Sequence, residues 1–261
     1  MRKTCIIIPC YNEAGRLNVD EFLDWAGRRP DLHFLFVDDG STDGTGEILD
    51  RLSRTCTEQI RHITMEKNRG KAEAVRRGFL ESFESCFDVI GYWDADLATP
   101  LETIPRFCEL LEDGGVDGVL GSRVMLLGRH IRRNPFRHYL GRIYATCASL
   151  AIGLPVYDTQ CGAKIFRNTE RLRQVFRTPF RVAWTFDVEI LARFLLLERI
   201  FGGSATRDRF VEYPLERWED IPGSKLKGRD FFRSAWEILK IGYWLRAPWA
   251  GRWFLESIQE E

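Results

Sequence analysis

The sequence lacks the features that mark disulfide-stapled, zinc-binding and secreted proteins. Its seven cysteines are odd in number and scattered, and no two of them form a Cys-x-x-Cys pair. A disulfide framework and a structural zinc site are therefore not expected. No charged and then apolar leader with a cleavage site precedes Cys5. We expect a protein of the reducing cytoplasm.

Long apolar runs are also missing. The longest extends from Ile143 to Leu154 and is interrupted by Thr146 and Ser149. It is shorter than the roughly 20 residues that span a bilayer. We expect a core helix here rather than a membrane segment.

The chain has no excess charge of either sign. Its 38 lysines and arginines balance 38 aspartates and glutamates, for a formal net charge of +0, so nothing attracts the whole molecule to nucleic acid, which is not an expected partner. With 261 residues, 44% of them hydrophobic, the chain can bury one large core. We expect one α/β domain over residues 1–226 and an aromatic, basic, helical extension over residues 227–261.

Two signatures of other nucleotide-binding enzymes are absent. Gly40, Gly44 and Gly46 follow an apolar run, but their spacing is not the Gly-x-Gly-x-x-Gly of dehydrogenases. A sugar nucleotidyltransferase would hold a triphosphate on a glycine-rich, basic loop near the N-terminus, and the segment Cys10–Glu13 is acidic instead. The nucleotidyltransferase is kept only as an alternative.

What is present is an alternation of strands and helices. Apolar, β-branched or aromatic runs over residues 4–9, 34–37 and 87–93 each end in a polar loop, and a helical stretch follows Asn68-Arg69-Gly70-Lys71. Such alternation predicts a mostly parallel sheet covered by helices. The polar loops then meet at the carboxyl ends of the strands, which is where open α/β sheets bind nucleotides.

Asp94-Ala95-Asp96 is the most informative of these loops. Thr99-Pro100-Leu101-Glu102 follows it and has the form of a capping box, which predicts that a helix starts there. Mg²⁺ usually takes one or two protein carboxylates together with substrate phosphates. The pair therefore indicates a metal and diphosphate site, although two turn-forming aspartates would have the same pattern.

Further blocks extend the pattern along nearly the whole chain, from about Thr4 to Leu245. The early ones are Pro9 with Asn12-Glu13, Asp38-Asp39-Gly40-Ser41-Thr42-Asp43, Asn68-Arg69-Gly70-Lys71 and Asp94-Ala95-Asp96; the later ones are Gly121-Ser122-Arg123, Asp158-Thr159-Gln160-Cys161-Gly162, Trp184 to Glu189, and Trp218 with Gly223-Ser224-Lys225-Leu226. The early blocks resemble the nucleotide-sugar half of glycosyltransferase family 2, which has the Rossmann-like GT-A fold. The later blocks resemble its dolichyl-phosphate β-glucosyltransferase and polyprenyl-phosphate glycosyltransferase branch.

The resemblance implies a role for each matched residue. The residues expected to bind the donor are Pro9, Tyr11, Asn12, Glu13, Asp38, Asp39, Lys71, Asp94 and Lys225. Of these, Pro9, Tyr11, Glu13, Asp38 and Asp39 would line the uridine pocket. Asp94 and Asp96 would hold Mg²⁺ or Mn²⁺, which stabilises charge on the leaving diphosphate. The expected catalytic group is Asp96, Arg123, Asp158, Gln160 and Asp187. Ala72-Glu73 replaces a glycine-rich pair of the eukaryotic members, which makes the contact of Lys71 less defined.

The implied activity is inverting transfer of a hexose, with glucose expected, from a UDP-sugar to a polyprenyl or dolichyl phosphate. The acceptor phosphate is already anionic, so positioning by Arg123 and by the basic residues 129–133 matters more than a general base. A saccharide hydroxyl acceptor would need a base, Asp158 or Asp187, and either residue could equally be structural. A catalytically silent, membrane-associated adaptor is the alternative outside enzymes.

Two surfaces are left with two interpretations each. Arg129, Arg132, Arg133, Arg137 and Arg142, interspersed with apolar residues, form either a solvated helix face or a phosphate- and membrane-facing surface. The aromatic stretch from Phe231 to Phe254 either packs on the core or a second subunit, or lies in a membrane interface. Because the family's membrane helices are missing, we expect the catalytic domain alone, peripheral at the inner face of the membrane. Homo-oligomerisation stays open.

Overall fold

The computed structural model describes residues 2–112, 114–132, 134–221 and 228–259. Nine strands occur in this part of the chain: β1 Thr4–Cys10, β2 Leu32–Asp38, β3 Ile60–Thr64, β4 Val89–Trp93, β5 Gly118–Ser122, β6 His130–Arg132, β7 Ala163–Arg167, β8 Phe210–Pro214 and β9 Arg217–Glu219. Seven form one sheet in the order β3-β2-β1-β4-β7-β5-β8, and β6 pairs with β9 in a separate ribbon. The predicted mostly parallel sheet is confirmed.

Helices cover both faces of this sheet. They are α1 Val19–Arg28, α2 Thr45–Thr55, α3 Lys71–Phe83, α4 Thr103–Glu112, α5 Pro135–Ile152, α6 Glu170–Arg177, α7 Phe186–Phe201, α8 Thr206–Arg209, α9 Gly228–Arg246 and α10 Ala250–Gln259. Within the described residues, no helix combines the length and the apolar composition needed to cross a bilayer. The predicted architecture, a sheet flanked by helices with a helical C-terminal extension, is confirmed.

The strand register brings the loops to one edge. β1 pairs with β2 in parallel from Thr4 opposite Leu32 to Cys10 opposite Asp38, so both strands end together. β7 runs antiparallel to β4 and places Ala163 opposite Trp93. The segment that precedes β7 therefore reaches the same edge as the segments that follow β1, β2 and β4.

Side chains alternate between two cores because successive residues of a strand point to opposite faces. Ile7 packs with α3, α6 and α7, where the rings of Phe79 and Phe176 stack with centroids 3.7 Å apart. Ile6 and Ile8 pack on the other face with α1, α2 and α4. Burial on both faces explains why the strands are continuous apolar runs in the sequence.

The C-terminal helices are layered on the core rather than separate from it. One face of α9, with Ile238, Ile241 and Trp244, is buried in the same cluster as α7. The opposite face of α9 is exposed. The division between residues 226 and 227 lies outside the described residues and stays a prediction.

Two local predictions are wrong in part. The helix expected after Thr99 begins at Thr103, because the Trp93 indole donates to the carbonyl oxygen of Thr99 at 2.7 Å and the Thr103 amide donates to that of Pro100. Glu102, expected to close the cap, pairs with Arg217 instead. The expected core helix at residues 143–154 is α5, which buries only one of its faces.

Candidate active site

The loops that follow β1 and β2 lock together through polar side chains. Asn12 has a positive φ of 53°, which is unusual for a residue other than glycine. Its side-chain oxygen accepts the Thr42 amide at 2.9 Å, and its own amide donates to the Ser41 hydroxyl. The Glu13 amide donates to the Thr45 hydroxyl at 2.8 Å. This network holds Pro9, Tyr11, Asn12 and Glu13 beside the end of β2.

Asp38 and Asp39 are both buried and engaged with the backbone. Asp39 accepts the amides of Arg69 and Gly70 at 2.7 and 2.8 Å, whereas Asp38 accepts the amide of Ser41. Burial raises the pKa of Asp39, and the two amide donors offset only part of that effect. Gly40, with φ +67°, has no room for a side chain because a Cβ would lie 2.8 Å from the Asn68 amide nitrogen. Asp39 thus fixes the segment that precedes α3, and Asp38 fixes the loop that follows β2. Their contact with uridine stays a prediction.

An exposed ring and a partly buried ion pair lie beside these loops. Tyr11 presents its ring at the surface, and Glu13, itself buried, forms an ion pair with the half-buried Arg16. The hydrogen bonds that Arg16 donates to Glu13 raise the pKa of Arg16, and the charges of Asp96 and Asp94 add to this effect. Arg16 was not predicted as a site residue. Its position three residues after Glu13, across one turn, is the signal in the sequence that would have found it.

A tight turn after β4 presents the two candidate metal ligands. The Leu97 amide donates to the Asp94 carbonyl, Asp96 accepts the amide of Ala98, and Leu97 has a positive φ of 53°. Burial, followed by the charge of Asp94, raises the pKa of Asp96. A strained turn that brings two like charges together is typical of a functional site. The Asp94 carboxylate lies so close over Gly162 that a Cβ there would be 1.9 Å from it.

Asp94 and Asp96 fit a divalent cation whose remaining coordination positions are filled by a bound ligand. Within the described residues, no cluster of three or more histidine, cysteine, aspartate or glutamate side chains could hold a metal ion. Two neighbouring carboxylates repel each other, and a cation between them would stabilise both. Mg²⁺ and Mn²⁺ both accept few protein oxygens when phosphates supply the others. Asp94 and Asp96 therefore suit an ion that arrives with a diphosphate.

Lys71 is placed beside this turn by the start of α3. Its ammonium group forms an ion pair with Asp94. Partial desolvation acts to lower the pKa of the exposed Lys71 ammonium, but the charges of Asp94 and Asp187 outweigh it and raise the pKa. Lys71 is therefore a positive charge at the carboxylate pair, and its contact with a diphosphate stays a prediction.

Arg123 and Asp158 form a second charged centre, on the β5 side. The guanidinium group donates to both carboxylate oxygens at 2.6 and 2.7 Å and lies over the Trp218 ring at 5.2 Å. Glu212 on β8 accepts the amide of Asp158, and Asp158 in turn accepts the amide of Gln160. Burial opposes ionisation of Arg123, but Asp158 outweighs it and raises the pKa of Arg123, with a smaller contribution from Asp94. The segment from Asp158 to Gly162, which ends beneath the Asp94 carboxylate, joins the two charged centres.

Asp187 lies beneath the site in a buried network. Its carboxylate accepts the Lys164 ammonium at 2.6 Å and the Tyr92 hydroxyl, and all three side chains are almost fully buried. Because a buried lysine needs a partner, Lys164 within the apolar run Ala163–Arg167 is a signal that sequence reasoning missed. The arrangement makes Asp187 the counter-ion of Lys164.

A small pocket opens between Arg123 and α5, lined by His138, Arg142, Tyr144 and Gln160 among others. The Nδ1 atom of His138 and the hydroxyl of Tyr144 are buried there, and neither has a hydrogen-bond partner among the described residues. The hydroxyls of Ser122 and Thr159, the chain neighbours of Arg123 and Asp158, are in the same condition. Buried polar atoms without partners are rare and costly, so the pocket is suited to a polar ligand.

The predicted basic stretch is partly neutralised. Arg129 pairs with Glu216 at 2.8 Å, and the exposed Arg132 lies 3.4 Å from Glu219. Arg142 stacks on the Tyr157 ring at 3.4 Å. Arg133 and Lys225 lie outside the described residues. Among the residues predicted to bind the acceptor, Arg123, Asp158 and Gln160 are thus the ones that the structure brings together.

Comparisons with known proteins find relatives over most of the chain. The profile of Glycosyl transferase family 2 matches residues 5–174. The dolichyl-phosphate beta-glucosyltransferase ALG5C of Trichomonas vaginalis is 30% identical over 267 residues, which cover 97% of this chain and 74% of that protein. The dolichyl-phosphate beta-glucosyltransferase of Dictyostelium discoideum is 31% identical over 251 residues, 90% of this chain and 71% of that one.

A solved structure extends the likeness to the fold. Glucosyl-3-phosphoglycerate synthase from Mycobacterium tuberculosis, in complex with Mn²⁺ and UDP-glucose, is 18% identical, with a TM-score of 0.62 over 94% of this chain and 79% of that one. At this identity the likeness concerns the fold, and it confirms the GT-A architecture.

Proposed function

Because the chain belongs to glycosyl transferase family 2, we propose that it moves a hexose from a UDP-sugar to a polyprenyl or dolichyl phosphate, with inversion at the anomeric carbon. Glucose is the expected sugar. The relatives named dolichyl-phosphate beta-glucosyltransferases cover nearly the whole chain and support this choice. The observation that carries the proposal is the pair of charged centres, Lys71 with Asp94 and Arg123 with Asp158, at one edge of the sheet.

The donor side fits a nucleoside diphosphate. Tyr11 and the loop held by Asp39 border a pocket for the base and ribose, while Lys71 and the carboxylate pair lie where a diphosphate would follow. Asp94 and Asp96 would hold Mg²⁺ or Mn²⁺, which supplies positive charge to the leaving diphosphate. The Mn²⁺ and UDP-glucose complex of the M. tuberculosis enzyme supports this assignment.

The acceptor side fits a phosphate better than a hydroxyl. A hydroxyl acceptor needs a general base, but Asp158 is tied to Arg123 and Asp187 to Lys164. A phosphate is already an anion and needs only to be held in line with the anomeric carbon. Arg123 offers the planar fork that matches phosphate, and the unpartnered groups of His138 and Tyr144 lie in the pocket next to it.

In this mechanism the chain's own residues position charges rather than move protons. Arg123 orients the attacking phosphate, and Asp158 fixes the orientation of Arg123. Lys71 stabilises the departing diphosphate. Such an acceptor would bring the protein to a membrane surface, and we place it at the cytoplasmic face. The division into residues 1–226 and 227–261 is retained as part of the proposal.

The test is transfer of radiolabelled glucose from UDP-glucose to a short polyprenyl phosphate with Mg²⁺ or Mn²⁺. Asp96→Ala serves as the blank, and Asp50→Ala, an aspartate on α2 that pairs with Arg54, is the matched control. We expect metal-dependent label in the lipid with the unchanged protein and with Asp50→Ala, but not with Asp96→Ala.

Other outcomes contradict separate parts of the proposal. Metal-dependent release of UDP without labelled lipid would keep the glycosyltransferase and reject the lipid phosphate. Label that persists in Asp96→Ala would reject the metal site. Absence of turnover with any sugar nucleotide, together with absence of metal-dependent nucleotide binding, would favour a silent adaptor.

A further inference from the structure

A row of four side chains crosses four neighbouring strands next to the candidate active site. The strand register places Lys164 on β7 opposite both Tyr92 on β4 and Leu120 on β5. Leu120 is in turn opposite Glu212 on β8. Residues directly opposite each other on paired strands share a face of the sheet. The row therefore lies on the face that packs against α7.

The segment 157–162, which links α5 to β7, runs beside this row. It belongs to no helix or strand. Its backbone amides and carbonyls therefore need partners outside a regular ladder, because buried backbone polar groups are costly to leave unpaired. The two charged members of the row, Lys164 and Glu212, supply such partners at the two ends of the segment.

Glu212 holds the start of the segment. Its carboxylate accepts the amides of Tyr157 and Asp158 at 2.7 and 2.8 Å. Burial raises the pKa of Glu212, and the two amide donors offset part of that effect. Because one carboxylate binds two successive amides, it fixes the direction of the chain at Asp158 as well as its position.

Lys164 holds the end of the segment. Its ammonium group donates to the Cys161 carbonyl and, at 2.6 Å, to Asp187. The next residue, Gly162, accepts the amide of Asp94 at 2.9 Å. The segment is therefore anchored at both ends by charged side chains of the row, and its last residue is bonded to a candidate metal ligand.

Asp158 lies between these anchors and carries the orientation of Arg123. Its carboxylate accepts the Arg123 backbone amide at 3.1 Å and two nitrogens of the guanidinium group at 2.6 and 2.7 Å. Its own amide is the one that Glu212 binds. A rotation of the chain at Asp158 would therefore turn the guanidinium group with it.

We propose that Glu212 is a positioning residue for the acceptor: by holding the backbone of Asp158, it sets the orientation in which Arg123 presents its fork to the acceptor phosphate. Glu212 acts through Asp158 and Arg123 rather than on the substrate. The inference rests on the proposed function, which assigns the acceptor phosphate to Arg123. Orientation governs the rate of an in-line attack more than the affinity, so loss of Glu212 should lower kcat more than it raises KM.

Glu212→Gln tests this role with a small change in shape. A glutamine can accept one of the two amides, but its NH2 group is a second donor where the other amide needs an acceptor. In transfer of radiolabelled glucose from UDP-glucose to a short polyprenyl phosphate, we expect kcat to fall about 30-fold and KM for the lipid to stay within about threefold. UDP binding with metal, measured by calorimetry, should be unchanged.

Glu198→Gln is the matched control. Glu198 is also a half-buried glutamate that accepts a backbone amide, that of Thr206 at 2.7 Å. It lies about three turns along α7 from Asp187, or about 16 Å. Glu198→Gln should keep the parental kcat, and thermal unfolding of both variants separates a loss of stability from a loss of positioning.

A double-mutant cycle shows whether Glu212 acts through Arg123. Arg123→Lys removes the fork that Asp158 orients. In that background, Glu212→Gln should lower kcat/KM by no more than about twofold, because residues that act as one unit have non-additive effects. A merely structural role would give the same loss in both backgrounds.

Hydrogen exchange reports on the segment without any acceptor. In Glu212→Gln, the peptide that contains the amides of Tyr157 and Asp158 should exchange about tenfold faster than in the parent, because their partner is weakened. In Glu198→Gln the same peptide should exchange at the parental rate.

Three results would overturn the positioning role. These are a parental kcat in Glu212→Gln, an undiminished loss in the Arg123→Lys background, and unchanged exchange of the peptide with Tyr157 and Asp158. Failure of the proposed function is distinguishable from these. Absence of labelled lipid with the parent protein would reject the acceptor, and the exchange rates would still decide whether Glu212 holds the segment.

Discussion

The donor edge of the sheet and the layer that α5 and α9 form on the core are built in opposite ways. At the donor edge, the polar groups of Asn12, Asp38 and Asp39 find their partners within the chain, in loops that follow adjacent strands. Beside α5, His138 and Tyr144 keep buried polar atoms that find no partner in the part of the chain that the structure describes, and the outer surface is apolar. The loops of the donor edge are thus fixed by contacts within the chain, whereas the pocket beside α5 keeps polar groups for a ligand.

The largest effect is expected where the two regions meet, at the buried pair of Lys164 and Asp187. Lys164→Met leaves the Asp187 carboxylate buried without its cation, which should lower the free energy of unfolding by about 3 to 5 kcal/mol. Urea denaturation measures this loss. The double variant Lys164→Met with Asp187→Leu should recover much of it, and a single variant as stable as the parent would contradict the structural role of the pair.

Arg123 should distinguish acceptor from donor. Arg123→Lys keeps the charge but loses the fork that Asp158 orients, so we expect about a 100-fold lower kcat/KM for the lipid phosphate, or about 2.7 kcal/mol. UDP binding with metal, measured by calorimetry, should be unchanged. Arg132→Lys, at the exposed arginine that pairs with Glu219, should stay within about twofold of the parent. The reverse order would move the acceptor phosphate to the basic stretch.

Alanine substitutions at two glycines should distinguish an effect on ligand binding from an effect on core packing. In Gly162→Ala the new methyl group meets the Asp94 carboxylate, so metal-dependent UDP binding should weaken about tenfold, or about 1.4 kcal/mol, at little cost in stability. In Gly78→Ala it meets Ile7 in the core, which should lower stability by about 1 to 3 kcal/mol and leave binding intact. Calorimetry and thermal unfolding of both variants check the contrast, and equal effects on binding would remove Asp94 from the site.

The smallest effect should come from the contact between the layer and α7. Glu237 accepts two amides at the start of α7, one turn from Asp187. Glu237→Gln removes the charge from this cap and should cost about 1 kcal/mol, measured as a lower Tm. Glu256→Gln on α10, an exposed glutamate, is the control and should leave Tm unchanged. Equal Tm values for both variants would contradict a stabilising role for this contact.

Prediction from the sequence succeeded where local pattern is enough. Asp94 and Asp96 were assigned to a strand end from the apolar run before them, and the structure places them there. The same local reasoning missed the start of α4, because the Thr99 carbonyl is taken by the indole of Trp93. Sequence reasoning also predicted a core helix at residues 143–154. Apolar composition alone does not show that only one face of this helix packs against the protein.

The order of apolar runs and polar loops by itself determined the family, the α/β class and the edge of the sheet that carries the site. The physical reason is that parallel strands must end together, so their following loops meet. Tertiary structure alone decided which charges are paired and which apolar face is left uncovered. Arg123 and Asp158 are 35 residues apart, and Tyr92 and Asp187 are 95 apart. Contacts over such separations depend on how helices and strands pack, and no local pattern in the chain records them.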